Sequence, residues 1–115
     1  NHLGCAAALA VLDVFEEERL EENANEVGTY LMEELRSVCS CGTTTHITDI
    51  RGRGLMIGID LDVPHKEVRQ PLIYQEHCFT GCAGTNILRL LPPLCLTKGE
   101  ADQFIEKLKK VLASL

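Results

Sequence analysis

The hydrophobic period of this chain changes from a 3–4 spacing to strict alternation and back, and any fold it adopts must satisfy both patterns. Leu20, Ala24, Val27, Leu31, Leu35 and Val38 fall on one helical stripe. Leu55, Ile57, Ile59 and Leu61 alternate instead with Met56, Gly58, Asp60 and Asp62, the pattern of a strand with one buried face. Both patterns are satisfied together when helices lie over one face of a sheet. At 115 residues and 45% apolar content the chain is expected to form one folded domain, residues 1–115, with a core of its own.

The remaining segments extend this reading. A first helix is expected from His2 to about Glu17, with Leu3, Ala7, Ala10, Val11 and Val14 at helical spacing. Gly28 marks a close contact in the second helix, and the polar run Ser40 to Thr45 ends it. Ile47 to Ile50 reads as the leading part of the Leu55–Leu61 strand, bent at Arg51-Gly52-Arg53-Gly54. A third helix is expected from His65 to Phe79, with Pro71 limiting its start, then a short strand from Phe79 to Ala83 and another from Ile87 to Leu91. Pro92-Pro93 removes two backbone donors and ends that strand. Thr97-x-x-Glu100 is a capping box for a last helix carrying Phe104, Leu108, Val111, Leu112 and Leu115. The expected fold is α+β: a small, mainly antiparallel three-stranded sheet covered by helices.

Composition excludes several functions. The net charge of −6, without a basic cluster, argues against a nucleic-acid or anionic-membrane partner. No apolar run is long enough to span a bilayer, and no signal peptide is visible. Cys5 and Cys95 read as small core residues. Cys39-x-Cys41 and Cys78-x3-Cys82, with His46 or His77, do not match the spacing of paired zinc knuckles, so no metal site is expected and a reducing cytoplasm suits the thiols. The chain opens on Asn1 without an initiator methionine, which reads as a fragment of something longer.

Arg89 is the candidate binding residue. It interrupts Asn86-Ile87-Leu88-Arg89-Leu90-Leu91-Pro92-Pro93-Leu94, a stretch apolar on both faces of a strand. A cation buried there needs a counter-anion, and the planar guanidinium fork suits a carboxylate. The anion is either a ligand or one of the chain's own acids. Arg51-Gly52-Arg53-Gly54 lacks the helix and lysine that follow a phosphate-binding loop and reads as a tight bend with two solvated arginines. Asp60 and Asp62 share a strand face and read as solvated carboxylates on an edge strand. No histidine stands in a nucleophilic triad, and no complete catalytic set is present.

Three segments, in order and at suitable spacing, carry a resemblance: Asn1-His2-Leu3-Gly4-Cys5-Ala6-Ala7-Ala8-Leu9-Ala10, Arg51-Gly52-Arg53-Gly54-Leu55-Met56-Ile57-Gly58 and Asn86 to Leu94. Together they resemble the C-terminal part of class III pyridoxal-phosphate aminotransferases, most closely the acetylornithine aminotransferase group. The resemblance implies the small C-terminal domain, with its entering helix, of a homodimeric fold type I enzyme whose large cofactor-binding domain lies upstream. It further implies transfer of an amino group from N-acetylornithine, or a related ω-amino donor, to 2-oxoglutarate in arginine biosynthesis. Small-molecule amino-acid and 2-oxo-acid substrates are its implied partners, with pyridoxal 5'-phosphate as cofactor of the full-length enzyme. The family's substrate-carboxylate arginine matches Arg89. The Schiff-base lysine, the pyridinium-holding aspartate and the phosphate-contacting threonine of the family all match nothing in these residues. The piece alone is therefore expected to be inactive and to bind no cofactor. A free-standing α+β module that holds an amino-acid carboxylate through Arg89 is the alternative.

Overall fold

The computed structural model describes residues 1–40 and 46–115. Its elements run α1 (His2–Glu17), α2 (Leu20–Ser40), β1 (Ile47–Arg53), β2 (Met56–Leu61), α3 (His65–Tyr74), β3 (Gly81–Ala83), β4 (Ile87–Leu90) and α4 (Lys98–Ala113). The strands form one antiparallel sheet in the order β1-β2-β4-β3. The α+β architecture is as expected, but the sheet has four strands rather than three. The segment read as the leading part of one bent strand is a strand of its own, folded back on β2 as a hairpin. Gly54, at φ +56°, supplies the left-handed backbone that a two-residue hairpin turn needs.

Pairing register assigns the two faces. Ile50 and Gly52 on β1, Ile57, Ile59 and Leu61 on β2, and Leu88 and Leu90 on β4 share the inner face. Ile57, Ile59 and Leu88 are fully buried there against Leu31 and Leu35 of α2, Leu72 of α3 and Leu108 and Leu112 of α4. Burial of each such side chain contributes about 1.5–3 kcal/mol, which is why the helical stripes and the strand alternation converge on one layer boundary. The opposite face carries Asp49, Arg51, Arg53, Met56, Gly58, Asp60, Gly81, Ala83, Ile87 and Arg89, and among the described residues no helix covers it.

Several local expectations are corrected. α3 ends at Tyr74, short of Phe79, where His77 adopts φ +54° and the Cys78 N–H donates to the Leu72 carbonyl at 2.7 Å. Pro71 lies inside α3 and does not limit its start. β3 begins at Gly81 rather than Phe79. Gly28 approaches the hairpin turn, not another helix: a Cβ built on it would lie 2.2 Å from the Gly54 carbonyl oxygen. Cys5 and Cys95 are exposed and not core, since α1 buries none of its side chains and Cys95 follows Pro92-Pro93 in a loop. The capping box at α4 forms in full despite Gly99, with Glu100 N–H donating to Thr97 Oγ1 at 3.2 Å.

Among the described residues no helix is long and apolar enough to cross a membrane. No three metal-ligating side chains converge among them either, and Cys41 lies outside them, as does most of the polar run after α2.

Candidate functional site

Arg89 stands at the third position of β4, between Gly58 on β2 and Gly81 on β3. Its exposure overturns the expectation that both faces of this strand are buried. Leu88 and Leu90 point into the core, whereas Arg89 and Leu91, the latter 57% exposed, belong to the uncovered face. The apolar residues on both sides had concealed which face the helices would take.

The two glycine neighbours shape the site. A Cβ on Gly81 would come within 3.3 Å of Arg89 Nε and within 3.4 Å of Nη2, so the guanidinium lies across β3 in space that any other residue would fill. Arg69 on α3 anchors the start of β3, with Nε donating to the Thr80 carbonyl at 2.9 Å. No carboxylate among the described residues lies within ion-pair distance of Arg89. The alternative of an internal ion pair is therefore not what this arginine makes here.

A groove of about 350 Å³ opens beside it. Cys78, Phe79, Thr80 and Gly81 form one wall, Leu91 to Pro93 another, and Leu31, Glu100 and Phe104 the helical side. Arg89 is the only cation in this lining. Glu100 is its one acid, and Glu100 Oε2 already accepts from the Thr97 N–H at 2.9 Å and Thr97 Oγ1 at 3.1 Å. Burial pushes the Cys78 thiol pKa up, offset in part by nearby Lys107. A guanidinium beside an apolar groove, with the neighbouring carboxylate engaged elsewhere, has the donors and the surroundings that a carboxylate on a partly apolar small molecule would require.

Arg51 and Arg53 do not form a phosphate loop. Arg51 Nη1 donates to Asp60 Oδ2 at 2.6 Å and to Asp49 Oδ2 at 3.0 Å. Those two hydrogen bonds, Asp60 first, raise the Arg51 pKa above its ordinary value. Both arginines are exposed, as expected, and what the sequence did not show is that Arg51 is also paired with two carboxylates. Asp60 is on an interior strand rather than an edge, and Asp62 lies just past it, 2.8 Å from His46 Nδ1. The glycines flanking Arg89 and the Asp49–Arg51–Asp60 cluster went unrecognised in the sequence. The register that aligns them depends on a hairpin whose one local signal is Gly54.

The "Aminotransferase class-III" family profile matches residues 1–112. Ornithine aminotransferase from Geobacillus sp. (strain WCH70) is 38% identical over 115 residues, covering all of this chain and 28% of the relative. Acetylornithine aminotransferase from Methanosarcina acetivorans is 33% identical, covering 94% of this chain and 26% of the relative. The solved structure of ornithine aminotransferase from Toxoplasma gondii superposes with a TM-score of 0.87 at 26% identity, over 97% of this chain and 27% of that one. The chain thus spans about a quarter of the length of the curated relatives it matches.

Proposed function

Because this chain belongs to the class III aminotransferases, we propose that it is the C-terminal domain of a pyridoxal-phosphate-dependent transaminase in which Arg89 binds a substrate carboxylate. The single observation that carries the reading is the unpaired guanidinium of Arg89 between Gly58 and Gly81 at the mouth of the groove. A fixed fork of donors at that point orients a carboxylate bidentately and so fixes the distance from the carboxylate to the reacting end of the substrate. Phe79, Leu91 and Pro92 give that contact apolar walls for the rest of the substrate to lie against.

The donor is an ω-amino acid of the ornithine type, either N-acetylornithine or ornithine, and the acceptor is a 2-oxo acid such as 2-oxoglutarate. Relatives named for ornithine and for acetylornithine both align along nearly all of this chain. Both donors and the acceptor share a carboxylate, the one feature Arg89 reads. Choice between the donors belongs to residues outside this domain.

Pyridoxal phosphate, when bound, supplies the electron sink for moving the amino group. The residues of this chain do not fit its attachment. Lys66 is on α3, Lys98, Lys107, Lys109 and Lys110 are on α4, and none of them lines the groove. This domain contributes a substrate contact, while the amine that holds the cofactor belongs to the rest of the protein. The full-length protein is proposed to be a cytoplasmic homodimer serving arginine biosynthesis. In it α1, with Leu3, Leu9 and Leu12 all exposed in this chain, packs against the remainder of the assembly.

The test is the intact mass, visible absorbance and transamination activity of the protein purified from its source. A chain several times 12.7 kDa, yellow, and transferring the amino group of ornithine or N-acetylornithine to 2-oxoglutarate is expected. A colourless protein of the size of this chain, without transaminase activity, would leave Arg89 as the centre of a binding module instead.

A further inference from the structure

Gly81 leaves the room that the Arg89 guanidinium occupies, and the same missing side chain leaves the entry into β3 loosely fixed. A glycine accepts almost any backbone rotation, so Gly81 does not by itself set the direction from which the chain arrives. The sheet constrains it from one side only. β3 is three residues long, lies at the edge of the sheet and pairs with β4 alone, Gly81 opposite Arg89 being the first of its pairs. The residues leading into it, from His77 to Thr80, belong to no helix or strand. Upstream, the Cys78 N–H is tied to the Leu72 carbonyl. The Thr80 hydroxyl adds nothing, since its oxygen is shut from solvent and has no hydrogen-bond partner among the described residues.

One side chain holds this entry from outside the sheet. Arg69, on α3, donates from Nε to the Thr80 carbonyl at 2.9 Å in a part-buried contact. That carbonyl shares one rigid peptide plane with the Gly81 N–H, so fixing its oxygen fixes the plane in which Gly81 joins the strand. A Cβ built on Gly81 lies 3.3 Å from Arg89 Nε and 3.4 Å from Nη2, so turning that plane carries backbone atoms toward the guanidinium. Arg69 has no carboxylate within ion-pair distance among the described residues and does not line the groove. Its defined contact is this backbone oxygen.

We propose that Arg69 is a positioning residue for substrate binding: by holding the Thr80–Gly81 peptide, it keeps β3 where the Arg89 guanidinium can lie across Gly81 and meet a carboxylate. The proposal rests on the reading of Arg89 as the substrate-carboxylate ligand. The contact calls for an N–H donor at the ε position of the side chain, and the positive charge is incidental to it. Glutamine carries an N–H donor at the same number of bonds from Cα as arginine Nε, without the charge, whereas methionine has the length and no donor.

The experiment is the steady-state kinetics of the full-length enzyme with 2-oxoglutarate. Arg69→Met is expected to raise KM about three- to tenfold with kcat much less affected, because a binding group held slightly out of place loses much of its contact. Arg69→Gln should recover most of that loss. In an Arg89→Lys background the effect of Arg69→Met should shrink markedly, since residues that act through one another are not additive. An unchanged KM in Arg69→Met, Arg69→Gln no better than Arg69→Met, or an effect of full size in the Arg89→Lys background overturns the proposal. So does a fall in kcat as large as the rise in KM. Should Arg69→Met not fold, Arg69→Ala, which also lacks the donor and favours the helix, takes its place in each comparison. Arg89→Lys alone reports on the reading beneath: an unchanged KM there removes Arg89 from the site, whereas a raised KM beside an unaffected Arg69→Met overturns only the role of Arg69.

Discussion

Arg89 shows how far single residues can be read from sequence. The residue was identifiable as a lone cation in an apolar strand, but the argument from burial was wrong in its premise: the side chain is exposed, and its freedom comes from two glycine neighbours. Nothing local marks Gly81, because its importance is set by a strand partner eight residues away. Gly81→Ala is expected to press a methyl group against Nε and the Arg89 carbonyl, both 3.3 Å from the built Cβ. The guanidinium should be displaced with little loss of fold, seen as a raised KM for 2-oxo acid at a nearly unchanged melting temperature. Tyr30 gives a second test at this scale. Its hydroxyl donates to the Asp102 carboxylate, and that hydrogen bond, with desolvation and the charges of Asp102 and Glu34 behind it, pushes its pKa up from 10 to about 12. The folded state therefore holds the phenol proton more tightly than the unfolded one. This contribution to stability is complete below pH 10 and is lost as the pH climbs toward 12. Asp102→Asn should bring one tyrosine ionisation to lower pH in a tyrosinate absorbance titration. An unchanged curve would rule out the contact.

At the scale of elements, the helices were more legible than the sheet. α1, α2 and α4 carry their own evidence in period and caps, because helical contacts are made three and four residues apart. The hairpin was misread because β1 and β2 are distinguished by one turn, and the alternation before it is irregular: a register shift separates Ile47 from Asp49. Gly28 had a recognisable signature, a glycine on an otherwise good stripe, yet its partner could not be foreseen. That partner is the turn itself, and Gly54 atoms sit 2.2 to 2.9 Å from a Cβ built on Gly28. Since those atoms are backbone, they cannot rotate away. Gly28→Ala is expected to push the hairpin off α2 at a cost of about 1–3 kcal/mol, despite the gain in helix propensity. A lower melting temperature checks this, and an unchanged or higher one contradicts it. Thr97→Ala removes the acceptor for the Glu100 N–H and should cost about 1 kcal/mol, measurable in the same melts.

At the scale of the whole molecule, the chain buries one face of its sheet and leaves the other open. Met56, 58% exposed, Leu91 and Arg89 look outward from it, while α1 projects with no residue buried. These surfaces are expected of a domain that works against a larger partner. The family could be reached from three separated segments because each preserves a backbone requirement: an alanine-rich helix, a glycine hairpin, and a strand stopped by two prolines. Donor choice was not legible, since the groove presents one cation and apolar walls, features that ornithine and N-acetylornithine do not distinguish. The measurement that tests the account most directly is the steady-state kinetics of the full-length enzyme and its Arg89→Lys variant with 2-oxoglutarate. Replacing a bidentate fork by a point charge should raise KM about tenfold, roughly 1.4 kcal/mol of lost binding, with kcat much less affected. Identical KM values in the two proteins would contradict the assignment of Arg89 to the substrate carboxylate.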